Sequence, residues 1–178
     1  MLKLHLLLGG GTREGRRMLP GVGWLVRGGM DRFVVFGYSR GAALARKFVS
    51  TLTLLRKGKC EEVQFIGVFD TVSAMDGIQR PGEDIATDVV FEDGTLHVGV
   101  KRAVHIVALD EDRLLFGPTL ICKDGSNPER ITEVWFPGVH GDIGGGYWHD
   151  GLSDGALKLM IDQCERALTG GHVNLPRR

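Results

Sequence analysis

Short apolar runs alternate with helical patterns along this chain, and the alternation limits the folds open to it. Continuous rather than alternating apolarity indicates strands that are covered on both faces, as in a parallel sheet. Strands that alternate with helices predict an α/β fold. Four runs rich in Val, Ile, Leu and Phe predict such strands: Leu2–Leu8, Arg32–Phe36, Val63–Val68 and Ile131–Phe136.

Two segments between or after these runs repeat their apolar residues with a helical period of 3.6. They are Ala42–Leu55 and Leu152–Leu168, and we expect both to be amphipathic helices. Val100–Leu109 fits a strand or a helix equally well, and Asp93-Gly94 predicts the turn of a small hairpin.

Length and composition narrow the class of protein. A chain of 178 residues predicts one α/β domain over residues 1–178, with the weakest pattern in Met1–Asp31. The 22 basic and 22 acidic side chains cancel, and no basic face points to a nucleic-acid partner. Three widely spaced cysteines favour neither disulfides nor a zinc site. We expect no metal and no cofactor.

The first residues do not resemble a targeting segment. Met1–Leu8 is one short apolar run without a signal-peptide cleavage pattern, and no run approaches the ~18 apolar residues of a membrane span. The expected location is therefore the cytoplasm of the producing cell, with export that needs no signal peptide as the alternative.

The motif Gly-Tyr-Ser-Arg-Gly at residues 37–41 joins a predicted strand to a predicted helix. This is the G-x-S-x-G turn that lifts a nucleophilic serine clear of a sheet, and it needs glycine where side chains would collide with the turn. The motif predicts Ser39 as a nucleophile and the backbone N–H of Arg40 as an oxyanion donor at the helix N-terminus. The alternative is a glycine-rich turn that carries an inert serine.

A nucleophilic serine needs a base and an acid that orients the base. Asp70 directly follows one predicted strand, and His140 lies four residues beyond another. The chain order Ser39, Asp70, His140 is that of α/β hydrolases. The alternatives are that Asp70 caps a turn and that His140 is an ordinary loop residue, with His149 as its main rival.

Other residues near this site have less specific signals. Asp142 is so close to His140 in sequence that we expect it to shape the loop. The aromatic residues Tyr38, Tyr147 and Trp148 are candidates for substrate binding, with Trp148 the best candidate for an exposed one. Trp135 is expected in the core.

Taken in chain order, several segments are similar to one known family, from about Met18 to Leu168. They are Gly37–Ala42 with Ala45 and Arg46, Gly67–Val72, Ala108–Arg113 with Phe116 and Pro118, Glu133–His140 with Asp142 and Gly144–Tyr147, and Leu152–Asp154. In these segments the chain resembles the DUF2235 family of α/β hydrolases. That family includes the catalytic domains of Tle1-type phospholipase effectors of the bacterial type VI secretion system.

The resemblance implies an α/β-hydrolase-like, mostly parallel sheet flanked by helices. It also implies a triad of Ser39, Asp70 and His140 that hydrolyses esters, in characterised effectors the acyl esters of phospholipids. The loop after the first strand would add an oxyanion donor from Gly10 or Gly11. The implied partners are a lipid or other ester substrate, a membrane surface contacted peripherally, and an immunity or secretion protein.

The chain departs from the family near its beginning. Gly9-Gly10-Gly11-Thr12 stands where the family has Asp-Gly-Thr-Gly-Asn, and the helical segment before Ser39 is reduced to a few residues, so the implied fold is shortened at the N-terminus. Two alternatives therefore stay open: an impaired hydrolase that acts as a binding module, and an esterase for small non-lipid esters. A nucleotide site at these glycines would lack the phosphate-binding lysine.

Overall fold

A parallel sheet forms the centre of the computed structural model, which describes residues 3–6, 33–55, 63–72, 96, 99–121, 128–149 and 151–169. Within these residues the sheet has five strands, and every neighbouring pair is parallel. They lie side by side in chain order: β1 (Lys3–Leu6), β2 (Phe33–Tyr38), β3 (Val63–Phe69), β4 (Ala103–Ala108) and β5 (Ile131–Phe136).

Within the described residues, three α-helices accompany the sheet, namely α1 (Arg40–Leu55), α2 (His140–Gly144) and α3 (Gly151–Thr169). Short 3-10 helices lie at Leu114–Phe116 and Pro128–Arg130.

The four predicted strands and the two predicted helices are confirmed, with ends that differ by a few residues. The ambiguous segment 100–109 contains strand β4, and all six residues of this strand are buried. A strand covered on both faces has no polar side to reveal its period of two, which is why its sequence alone fitted a helix equally well. The predicted hairpin turn at Asp93-Gly94 lies outside the described residues, and so does most of the segment 1–31.

The core has two layers, one on each face of the sheet. Alternate residues of β2 belong to different layers, because Phe33 and Val35 face one side and Val34 faces the other. Helix α1 packs on the first face through a buried stripe, and helices α2 and α3 pack on the second. The stripe of α1 consists of Ala42, Ala45, Phe48, Val49 and Leu52, and the stripe of α2 and α3 consists of Ile143, Ala156, Met160 and Cys164.

Because all strands run in one direction, their carboxyl ends meet at one edge of the sheet. Of the chain segments that leave the sheet there, the described residues include four: the turn after Tyr38, the turn after Phe69, and the loops that follow Ala108 and Phe136. The predicted site residues 39, 70 and 140 lie on three of these segments. None of the described helices is long and apolar enough to cross a membrane.

One prediction about the core is wrong. Trp135 is 48% exposed, although it lies in the middle of an apolar run. The reason is the position of β5, which is an edge strand of the described sheet, so that its residues are less covered than those of β3 and β4.

Candidate active site

Ser39 lies at the sharp turn between β2 and α1, in the conformation that the motif predicts. Its φ is 57°, a left-handed value that is unusual for a residue with a side chain. Its N–H donates to the carbonyl of Phe69 at 3.0 Å, and its own carbonyl accepts from the N–H groups of Ala42 at 3.0 Å and Val72 at 3.3 Å. A Cβ at Gly37 would lie 2.6 Å from Ala42 Cα, so glycine is required there for steric reasons.

Asp70 lies next to this turn, at the end of β3, and is fully buried. It also has a left-handed backbone, with a φ of 40°. Strand β4 holds it at two points: its N–H donates to the Ile106 carbonyl at 2.7 Å, and its Oδ1 accepts from the Ala108 N–H at 2.9 Å. The second carboxylate oxygen, Oδ2, is therefore directed to another partner.

That partner is His140, the first residue of α2, which is 5% exposed. Its Nδ1 lies 2.6 Å from Asp70 Oδ2. Because a carboxylate only accepts, Nδ1 is the donor of this hydrogen bond, and Nε2 is the ring nitrogen that Asp70 does not contact. The structure thus joins Asp70 and His140, which are 70 residues apart, beside the Ser39 turn. The rival His149 is exposed on the segment after α2.

Two aromatic rings hold the imidazole of His140. Tyr38 stacks on it, with ring centroids 4.7 Å apart and an interplanar angle of 28°, and its hydroxyl donates to the His140 carbonyl at 3.1 Å. Phe116 meets the ring edge-on at 4.9 Å. Burial, and then the negative charge of Asp70, raise the pKa of Tyr38 to about 12, so Tyr38 stays a neutral donor. Tyr38, which the sequence predicts to bind substrate, thus contacts both the ring and the backbone of His140.

Glu111, on the loop after β4, is a contact of His140 that sequence reasoning missed. Its Oε2 accepts from the His140 backbone N–H at 3.1 Å, and both of its oxygens accept from the Arg113 guanidinium at 2.7 Å. The hydrogen bond from Arg113 is the main reason that the pKa of Glu111 falls to about 2, so it remains an anion. Glu111 lies within Ala108–Arg113, one of the segments that carry the family resemblance, and this was the signal available in the sequence.

The loop that carries His140 is fixed by two further carboxylates. Asp110 Oδ2 accepts from the Gly138 N–H at 2.6 Å, and Asp142 Oδ2 accepts from the Val139 N–H at 2.9 Å. The prediction that Asp142 shapes this loop is confirmed. Within the described residues, no group of three or more His, Cys, Asp or Glu side chains could hold a metal ion.

Of the remaining predicted site residues, three are exposed and two lie outside the described residues. Arg40 is exposed as the first residue of α1, where its backbone N–H has no acceptor within the helix. Gly10 and Gly11, the other predicted oxyanion donors, lie outside the described residues. Tyr147 is 51% exposed and packs on Gly141, and Trp148 is 96% exposed, as predicted.

The parallel sheet has Ser39 at a strand-to-helix turn, Asp70 at the end of β3 and His140 on the segment that follows β5, which defines an α/β-hydrolase-like protein. A family described as "T6SS, Phospholipase effector Tle1-like, catalytic domain" matches residues 54–163. Since this is more than half of the chain, the protein belongs to the family of Tle1-like phospholipase effector catalytic domains of the type VI secretion system. The matched range includes Asp70 and His140 and begins after Ser39.

Solved structures give further similarities. An uncharacterized protein from Pseudomonas aeruginosa is 25% identical with a TM-score of 0.55, over 92% of this chain and 28% of that one. The Tle1 effector bound to the VgrG spike of the type 6 secretion system is 25% identical with a TM-score of 0.42, over 77% of this chain and 34% of that one.

A third similarity is to the NocB thioesterase domain in covalent complex with a fluorophosphonate nocardicin G analog. It is 17% identical with a TM-score of 0.46, over 88% of this chain and 75% of that one. A comparison with curated proteins finds no match. The chain thus spans about a third or less of the first two proteins' length.

Proposed function

We propose that this protein is a serine esterase of the phospholipase type, with Ser39 as nucleophile, His140 as general base and Asp70 as the acid that orients the base. The observation that supports this best is the 2.6 Å contact between Asp70 Oδ2 and His140 Nδ1, beside a serine held at a φ of 57°. A buried carboxylate on this nitrogen leaves Nε2 to accept a proton.

In the proposed reaction, Ser39 Oγ attacks the carbonyl carbon of the ester while His140 Nε2 takes its proton. Asp70 stabilises the imidazolium that forms, and His140 then gives the proton to the departing alcohol. Water hydrolyses the acyl-enzyme in the same way, with His140 again as the base. The backbone N–H of Arg40 and one N–H from Gly10 or Gly11 are the proposed donors to the oxyanion.

The proposed substrate is the acyl ester of a phospholipid. This rests on the name of the family, which describes phospholipase effectors. Two exposed aromatic side chains close in sequence to His140, Tyr147 and Trp148, are the proposed contacts with an acyl chain or with the lipid surface. One protein to which this chain is similar, the Tle1 effector, is bound to a VgrG spike in its solved structure. A protein of the secretion machinery is therefore the proposed partner of a longer protein that contains such a domain.

Covalent labelling by a fluorophosphonate tests the nucleophile, because this probe reacts with an activated serine. We expect labelling of the wild-type chain and none of Ser39→Ala. Ser50→Ala is the matched control, since Ser50 is in α1 and its hydroxyl donates to the Arg46 carbonyl of the same helix. A folded wild-type chain that is not labelled would contradict the proposal and favour a binding module.

A second measurement tests the substrate class. We expect phospholipid vesicles to be hydrolysed faster than a soluble short-chain ester at equal ester concentration. The reverse order would favour an esterase for small molecules.

A further inference from the structure

A second buried histidine–carboxylate pair lies in the sheet. His105 of β4 and Glu133 of β5 are partners in the strand register, and His105 is fully buried. Its Nδ1 lies 2.9 Å from Glu133 Oε1. The proposed mechanism does not use this pair, and a histidine buried to this degree requires an explanation.

The hydrogen bonds of His105 define its tautomer. Its Nε2 lies 3.2 Å from the backbone nitrogen of Thr71, which can only donate. Nε2 is therefore an acceptor, and Nδ1 carries the proton that His105 donates to Glu133. The ring is thus neutral, and both of its nitrogens are engaged.

Thr71 directly follows Asp70, whose backbone is in the left-handed region. Strand β4 contacts this two-residue turn at three points: His105 Nε2 accepts from Thr71, the Ile106 carbonyl accepts from the Asp70 N–H, and the Ala108 N–H donates to Asp70 Oδ1. The His105 contact is the one that comes from a side chain.

We propose that His105 is a positioning residue, which holds the Asp70–Thr71 peptide so that the Asp70 carboxylate faces His140. This inference rests on the proposed function of Asp70. An apolar side chain could fill the volume of the imidazole but would leave the buried Thr71 N–H without an acceptor, so the turn would be free to adopt another conformation.

The contacts on the far side of Thr71 support the same role. Its carbonyl accepts from the Thr119 N–H at 2.8 Å, and the buried Arg46 guanidinium donates to the Thr119 carbonyl at 2.6 Å. Glu133 Oε1 also accepts from the Ile121 N–H at 2.9 Å. The segment 119–121 and β4 thus hold the turn between them.

Protonation of His105 would convert Nε2 from an acceptor into a donor and break its contact with Thr71. The charged groups that act on His105 come from three neighbouring elements: Glu133 of β5 and Asp70 after β3 favour the protonated ring, and Arg46 of α1 disfavours it. Burial outweighs these effects and lowers the pKa of His105, which keeps the ring neutral at neutral pH.

The test compares four forms of the chain: wild type, His105→Leu, His105→Gln and Val104→Ala. Glutamine retains an acceptor for Thr71 and leucine does not. Val104 is the control, because it is equally buried in the same strand but faces the other layer of the core. The readout is the rate at which a fluorophosphonate labels the folded protein. Its dependence on probe concentration gives the inactivation rate and the apparent affinity for the probe separately.

We expect His105→Leu to lower the inactivation rate roughly 10- to 100-fold without changing the apparent affinity, since small misplacements of a catalytic group have effects of this size. His105→Gln should recover most of the rate, and Val104→Ala should keep the wild-type rate. An unchanged rate in His105→Leu, or an equal loss in Val104→Ala, would overturn the inference. If His105→Leu does not fold, His105→Asn replaces it, being polar but too short to reach Thr71.

Nuclear magnetic resonance gives a readout that does not depend on activity. We expect the nitrogen–proton correlations of His105 to show the Nδ1–H tautomer. The low-field proton of the His140–Asp70 hydrogen bond should shift in His105→Leu and remain in Val104→Ala. An Nε2–H tautomer for His105 would refute the positioning role, whereas a wild-type chain that is not labelled would instead contradict the proposed function.

Discussion

At the scale of single residues, the candidate site stores backbone strain at two positions. Ser39 and Asp70 are the non-glycine residues with positive φ among those that the structure describes. A left-handed backbone costs a residue with a Cβ about 1–2 kcal/mol. Hydrogen bonds to Phe69 and Ile106 hold these two conformations in place.

The strain at Ser39 can be measured by comparing two variants that both remove the nucleophile. We expect Ser39→Gly to be more stable than Ser39→Ala by about 1 kcal/mol. Glycine removes the strain of the left-handed backbone, and this gain exceeds the entropy that glycine adds to the unfolded chain. Urea unfolding of both proteins gives the difference. Equal stabilities would mean that the turn is relaxed.

The role of Asp70 depends on its being an acceptor. Asp70→Asn keeps the size of the side chain but can present an N–H to His140 Nδ1, which favours the wrong tautomer. We expect ester hydrolysis to fall about 10⁴-fold with the fold retained, as for the equivalent change in other triads. The rate of ester hydrolysis and a circular dichroism spectrum measure the two effects. Asp112→Asn, an exposed change on the nearby loop, should leave the rate unchanged.

At the scale of elements, the packing of α3 on β3 depends on a single glycine. A Cβ at Gly67 would lie 2.5 Å from Met160 Sδ and 2.8 Å from the Phe36 ring, so the absence of a side chain lets the helix approach the sheet. Met160 belongs to the core layer that also contains Ile143 of α2. The position of α3 is thus coupled to that of the helix that begins at His140.

This close approach predicts a non-additive pair of mutations. Gly67→Ala should destabilise the protein by roughly 1–3 kcal/mol through overpacking. The same change in a Met160→Ala background should cost less, because the new methyl group enters the space that the Met160 side chain leaves. A double-mutant cycle by urea unfolding measures the coupling. Strictly additive effects would contradict the contact.

At the scale of the whole molecule, the buried His105 links stability to pH. Its pKa is lowered from the ordinary value of 6.5, chiefly by burial, so the unfolded chain binds this proton more readily than the folded chain. Between the lowered pKa of the folded chain and the ordinary pKa of the unfolded chain, the free energy of unfolding therefore rises with pH. It decreases as pH falls below about 6.5, by at most about 1.4 kcal/mol per pH unit for one proton.

The variant His105→Gln isolates this contribution. As pH falls below 6.5, we expect the free energy of unfolding to decrease more steeply in the wild type than in His105→Gln. Above pH 7, the two proteins should show the same pH dependence. Urea unfolding at a series of pH values gives both curves. Parallel curves throughout the acid range would show that His105 does not titrate on unfolding.

The sequence by itself determined the fold class and most elements, because these depend on local patterns. Continuous apolar runs predicted parallel strands, periodic segments predicted α1 and α3, and two glycines around a serine predicted the turn at Ser39. Val100–Leu109 could not be assigned from its pattern, since a fully buried strand has no polar face. Trp135 was misplaced, since an edge strand and a central strand can have the same apolar sequence.

Only the tertiary structure decided which polar groups meet. The Asp70–His140 contact joins residues 70 positions apart, and sequence reasoning reached it through strand ends and a family resemblance rather than through any local signal. The contacts of Glu111 with His140 and of His105 with Thr71 were not predicted. They arise because a parallel sheet brings the ends of distant strands side by side, and hydrogen-bond partners there depend on register and burial, which no single segment contains.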